Sequence, residues 1–341
     1  MKPVRRLLAG GTGLLVLMAG LVAVQPTSYA GAGPARVAVR SDHRIVVSWK
    51  GEHKRRVYQK SVNVPGIGTV DLTCRPRSTQ IQIRPASRAP ETQMWLAKFE
   101  DKQGRDVVSV KNVRVYTYAT AADDGRGGTG PRAHEGLNQQ SRIEDFQKGY
   151  AYGLVSQRPS RSQPGRGALT TPATSFELTW WWERFRHPGH QYCRMALTLH
   201  TDTARQFGLS WHGTAEGDVR STSTTTIPGL GDAVVTCEPG AVGDQTVAFR
   251  PRGANQAAAR LYYRVIEGEG DVDDQVTTAS LGRDPDTGLL GPVELPRNGM
   301  MMLWATVNGV KRGYVLSSYY IVNNKLRPEL NSCEVAATPL P

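Results

Sequence analysis

The feature that most constrains this chain is an internal repeat. Val64-Pro65-Gly66-Ile67-Gly68-Thr69-Val70-Asp71-Leu72-Thr73-Cys74-Arg75-Pro76 aligns without a gap on Ile227-Pro228-Gly229-Leu230-Gly231-Asp232-Ala233-Val234-Val235-Thr236-Cys237-Glu238-Pro239, with six of 13 positions identical. Upstream, Val47-Ser48-Trp49-Lys50-Gly51 answers Leu209-Ser210-Trp211-His212-Gly213, and downstream Ile83-Arg84-Pro85 answers Phe249-Arg250-Pro251. Three collinear matches at a nearly constant offset point to two copies of one structural unit.

Each copy reads as strands. Val70, Leu72 and Cys74 alternate with Asp71 and Thr73, and Ile81 and Ile83 alternate with Gln80, Gln82 and Arg84, the period-2 pattern of half-buried strands. Pro-Gly-x-Gly suits a tight turn, because glycine tolerates positive φ. Asn308-Gly309, between Met302–Val307 and Val310–Val322, is a hairpin signal, and Lys102-Gln103-Gly104 closes a similar pair in the first copy. The expected fold is all-β: two tandem β-sandwiches, Ig-like or jelly-roll-like, from an internal duplication and joined by a flexible linker.

Composition sets the boundaries. Residues 31–119 form the first, basic repeat; residues 120–174, rich in Gly, Pro, Ser and Arg, read as the linker, with a short helix expected within Leu137–Val155. The second repeat is expected over 175–325 with an acidic insertion at 261–295, leaving 326–341 as a C-terminal tail. At the other end, Lys2, Arg5 and Arg6 precede an uncharged stretch from Leu7 to Val24, then Ser28-Tyr29-Ala30. That is the pattern of a signal peptide over residues 1–30, cleaved near Ala30, with a retained N-terminal membrane anchor as the alternative.

Export makes the four cysteines, Cys74, Cys193, Cys237 and Cys333, two expected disulfides. Cys74 and Cys237 hold equivalent places, which favours Cys74–Cys193 with Cys237–Cys333; the alternative joins Cys193 to Cys237 and Cys74 to Cys333. His187, His190 and Cys193, with Glu183 or Cys237, have zinc-ligand chemistry, but a cysteine in an exported chain belongs more naturally to a disulfide. Asp271, Asp273, Asp274, Asp284 and Asp286 are the calcium candidates; a solvated acidic loop is the simpler account.

Charge separates the copies. Residues 31–150 carry 21 basic and 12 acidic residues, whereas residues 151–341 carry 18 of each. Lys54, Arg55, Arg56, Lys60, Arg75 and Arg77 form the candidate basic patch, suited to an anionic cell-wall polymer, a membrane surface or the acidic copy of another molecule. Nucleic acid is not expected as a partner, since no recognition helix, zinc finger or RNA-binding signature is present. Trp180 and Trp182, two apart on one strand face with Phe176 and Leu178, form either a stacking platform or core. No nucleophile elbow, metalloprotease or nucleotide-binding motif occurs, and no motif calls for a cofactor. The expectation is an extracellular, non-catalytic binding protein, the alternatives being a self-assembling structural protein and a hydrolase without a local motif.

Overall fold

The computed structural model describes residues 38–51, 57–75, 78–88, 90–102, 104–115, 136–139, 146–158, 165–167, 169, 172–183, 187–212, 221–238, 245–253, 256–321 and 332–341. Residues 1–37, which hold the expected signal peptide, lie outside them. The first strands are β1 (Arg40–Lys50), β2 (Gln59–Val64), β3 (Gly68–Arg75), β4 (Ser78–Pro85), β5 (Glu91–Lys102) and β6 (Arg105–Val115). There follow β7 (Gly136–Gln139), β8 (Phe146–Arg158), β9 (Gly165–Gly167), β10 (Thr174–Glu183) and β11 (Tyr192–Asp202). The second half holds β12 (Phe207–His212), β13 (Ser221–Ile227), β14 (Gly231–Cys237), β15 (Gln245–Pro251), β16 (Arg260–Ile266) and β17 (Glu269–Asp271). A single helical turn, α1 (Val272–Gln275), leads to β18 (Val276–Gly282), β19 (Leu290–Glu294), β20 (Asn298–Val307), β21 (Val310–Ile321) and β22 (Ser332–Pro339).

These strands make four sheets. Large sheet 1 runs β1-β11-β10-β8-β5-β6-β17 and small sheet 1 runs β2-β3-β4-β7. Large sheet 2 runs β9-β12-β22-β21-β20-β16-β18, and small sheet 2 runs β13-β14-β15-β19. The six-strand orders β1-β11-β10-β8-β5-β6 and β12-β22-β21-β20-β16-β18 correspond strand for strand in chain order, as do the two small sheets.

The repeated residues explain the correspondence. Gly68 and Gly231 each follow a tight turn, and a Cβ on either would lie 2.1 Å from the carbonyl oxygen of Arg84 or Arg250, so no larger side chain fits. Trp49 stands directly opposite Cys193, and Trp211 directly opposite Cys333. Both tryptophans are buried. The disulfides are Cys74–Cys193 and Cys237–Cys333, each tying a small sheet to its large sheet. The Asn308-Gly309 turn closes β20 onto β21, with both residues at positive φ (51° and 76°).

Three cores separate the layers. Leu72, Ile81, Ile83, Met94, Phe176 and Trp182 fill the space between small and large sheet 1; Val235, Phe249, Phe207, Leu303, Tyr314 and Val335 do the same for the second pair. Trp95, Leu154, Ile266, Met300, Met302 and Val315 form a third core where the two large sheets face each other. All described residues thus belong to one compact unit, Ala38–Pro341. No described helix is long and apolar enough to cross a membrane, and the disulfides are compatible with an extracellular protein.

Several expected boundaries give way to this pairing. Residues 146–158, expected in the linker and in part as a helix, form β8, which lies between β10 and β5 inside large sheet 1. The two glycines in this strand have a packing reason: a Cβ on Gly149 would meet the Trp180 ring at 2.3 Å, and one on Gly153 the Phe176 ring at 2.2 Å, so the neighbouring strand supplies the bulk. β10 and β11, expected in the second repeat, pair with β8 and β1. The expected tail holds β22, buried between β12 and β21. Within 261–295, β16 and β19 are members of the second pair of sheets. β17 instead crosses to add a strand to β6, supported by a Lys111–Glu269 ion pair at 2.9 Å.

Candidate functional site

The tryptophan run places one functional side chain outside. On β10 Phe176, Leu178, Trp180 and Trp182 turn into the core, with Trp180 5% and Trp182 1% exposed, so the expected platform of Trp180 and Trp182 is core. Trp181, on the opposite face, is 48% exposed. The sequence does not single it out, because the residues that share its face of the strand, Glu177, Thr179 and Glu183, are polar and only the Trp180–Trp182 face carries a run of aromatics.

Register assembles the site around Trp181. Its direct neighbours across the sheet are Arg194 on β11 and Lys148 on β8. Both are exposed. Side chains directly opposite in antiparallel strands share a face, with Cβ atoms about 4.5–5.5 Å apart. The adjacent row holds Thr179, Tyr150 and Phe99, and the row on the other side holds Glu183, Tyr192 and Lys50. Large sheet 2 covers this face only further along, where the Ser175 hydroxyl donates to the Pro339 carbonyl oxygen.

Two depressions open there. The first, about 410 Å³, is lined by Lys50, Trp181, Glu183, His190 and Tyr192. The Trp181 Nε1–H donates to Glu183 Oε1 at 2.8 Å, and the Tyr192 ring stands edge-on to the indole with centroids 6.4 Å apart. Glu183 thereby helps to fix the indole, which remains about half exposed. The second depression, about 370 Å³, is lined by Phe99, Glu100, Asp101, Lys148, Tyr150 and Val272, among others. Phe99 and Tyr150 stack at 4.8 Å and 12°. Of its three carboxylates, Glu100 pairs with Lys98 at 2.6 Å and Asp101 accepts from the Gly104 amide at 3.0 Å and lies 3.4 Å from Lys148; the third is Asp106. Nearby, burial and then Glu177 raise the Tyr152 phenol above its ordinary pKa.

The other sequence candidates do not converge. Lys54, Arg55, Arg56 and Arg77 lie outside the described residues. Lys60 pairs with Leu72 and so takes the side of the core-facing residues at the strand edge; Arg75 shares the opposite side with Thr73. The two therefore share no patch. Cys193 is bonded to Cys74, which removes it as a zinc ligand, although His187 and His190 are near one another with ring centroids 6.0 Å apart. The aspartates serve turns. Asp271 caps α1 by accepting from the Asp273 amide at 3.1 Å. Asp284 accepts from the amides of Asp286 and Thr287, hydrogen bonds that hold its carboxyl below the usual range. Among the described residues no group of three or more His, Cys, Asp and Glu is arranged to hold a metal.

A buried ionic cluster between the large sheets had no local signal at all. Glu91 accepts from Arg114 Nε at 2.6 Å and from Arg158 Nη2 at 2.7 Å, and Arg158 Nη1 lies 3.0 Å from Glu334 Oε2. Glu334 Oε1 has no hydrogen-bond partner among the described residues, and burial pushes this carboxyl up to about 7 despite Arg158. The cluster is closed to solvent and joins the halves of the chain. Its members are scattered from residue 91 to residue 334, so only the tertiary structure brings them together.

All described cysteines are in disulfides. His200 pairs through Nδ1 with Asp42, and among the described residues no serine or threonine hydroxyl is hydrogen-bonded to its ring. What the open face presents is one fixed indole, edge and stacked aromatics, and exposed cations on a rigid sheet. No protein-family model, curated protein or solved structure matches this chain.

Proposed function

We propose that this protein is an exported, non-catalytic binding protein of the cell envelope that holds polysaccharide on the open face of large sheet 1. The observation that carries the reading is Trp181, half exposed on a rigid strand, its N–H engaged by Glu183 and its ring flanked by Tyr192 above a 410 Å³ depression. An exposed aromatic of this kind stacks on the C–H face of a sugar ring, and its fixed geometry lowers the entropy lost on binding. Export is supported by the sequence of residues 1–30 and by the paired cysteines, and the excess positive charge of residues 31–150 favours an envelope polymer of negative charge. We further propose that both sheet pairs derive from one duplicated unit, supported by their matched strand order and disulfides.

Co-sedimentation with purified cell-wall polysaccharide tests the reading, comparing the full chain with Trp181→Ala. Loss of one stacking aromatic is expected to weaken binding by roughly 2- to 13-fold, from about 0.5–1.5 kcal/mol for such a contact. Undiminished binding in Trp181→Ala would remove the proposal, as would steady release of new reducing ends from the polymer, which would make the protein a hydrolase.

A further inference from the structure

Deepening the glycan-binding reading, on which it rests, we infer that the Trp181 site selects a carboxylated sugar, a uronic-acid unit of an anionic polysaccharide, and that Arg194 and Lys148 are its specificity-determining residues. The argument is the row itself. Trp181 has a cation directly opposite on each neighbouring strand, Arg194 on β11 and Lys148 on β8. Strands lie about 4.8 Å apart, so the two charges flank a ring lying on the indole at a spacing of roughly 10 Å between their backbones.

Charge complementarity identifies the occupant. Arg194 is exposed and makes no hydrogen bond or ion pair with any described residue, so its planar fork is open to a carboxylate, which it can meet with two parallel bonds. Lys148 lies 3.4 Å from Asp101 with its side chain 52% exposed, and a surface pair of this kind is worth little against a better-placed anion. The nearby carboxylates do not close the row to an anion. Glu183 accepts the Trp181 N–H from the next row, which it shares with Lys50, and Glu177 lies beyond Thr179 beside Tyr152. A neutral glycan would use the indole and leave both cations solvated; a phosphate polymer would have no need of the aromatic face.

Calorimetric titration of the full chain distinguishes these cases, using a galacturonic-acid hexamer, a β-1,4-linked glucose hexamer and a glycerol-phosphate polymer in 0.15 M salt. The uronate hexamer is expected to bind at least tenfold more tightly than the glucose hexamer and ahead of the phosphate polymer. Arg194→Gln and Lys148→Gln should each reduce uronate binding about tenfold and leave glucose-hexamer binding unchanged. Both positions are exposed, so unchanged thermal melts accompany these variants and separate lost contacts from lost fold. Equal affinity for the two hexamers, preference for the phosphate polymer, or silent cation variants would overturn the assignment. If Trp181→Ala weakens every glycan while both cation variants are silent, glycan binding stands and the uronate assignment falls. If Trp181→Ala changes nothing, both fall.

Discussion

Glu334 makes the stability of this protein depend on pH in a direction opposite to that of an ordinary salt-bridged carboxylate. Its carboxyl is fully buried, one oxygen is without a hydrogen-bond partner among the described residues, and its folded pKa is pushed from 4.5 to about 7. Between those two values the folded chain keeps the proton and the unfolded chain has released it. Stability therefore falls by about 1.4 kcal/mol per pH unit across that window. The contribution is fully favourable below about pH 4.5, and roughly 3 kcal/mol has been lost by pH 7, beyond which the curve is flat for this group. Glu334→Gln keeps the shape and removes the titration. Urea denaturation of both proteins from pH 4.5 to 8.5 gives a difference curve in which other titrating groups cancel. Wild-type stability relative to the variant should decline from pH 4.5 to 7 and then level. A difference curve that is flat, or that rises with pH, would refute the reasoning, and would mean that Arg158 at 3.0 Å keeps the carboxylate charged in the folded state.

Adjacent tryptophans should behave oppositely: Trp182→Ala is expected to cost about 3–5 kcal/mol by opening a core cavity, while Trp181→Ala leaves the denaturation midpoint nearly unchanged; equal effects would refute their assignment to opposite faces. Gly153→Ala forces a Cβ to 2.2 Å from Phe176 and 2.4 Å from the Trp95 carbonyl oxygen, and should destabilise by about 1–3 kcal/mol or more in a thermal melt, whereas a neutral result would place β8 outside the sheet. Replacing Cys237 and Cys333 by serine together should lower stability by about 4–5 kcal/mol, since the bridge closes a 96-residue separation, and an unchanged urea midpoint would contradict that bond's role.

Much of the fold was legible in local pattern. Period-2 alternation marks strands because side chains on a pleated backbone point to opposite faces, and Asn308-Gly309 marks a hairpin because its turn needs two positive φ values. The repeat carried the disulfide pairing, because equivalent positions meet equivalent partners. What the pattern misassigned was β8, whose Gly149 and Gly153 read as linker residues. Their smallness is the complement of Trp180 and Phe176 on the next strand, and that fit exists only after pairing.

The candidate site divides the same way. Sequence alone determined an all-β chain with tandem matching segments, four cysteines disposed to pair, and a strand whose tryptophans alternate between two faces. The tertiary structure decided which face stayed open, by packing Trp180 and Trp182 against small sheet 1 and leaving Trp181 beyond the cover of large sheet 2. It also set Arg194 and Lys148 beside that indole, and Glu91 and Arg158 beside Glu334. Cross-strand register and sheet-on-sheet packing join residues far apart in the chain, and neither leaves a mark in the local order of amino acids.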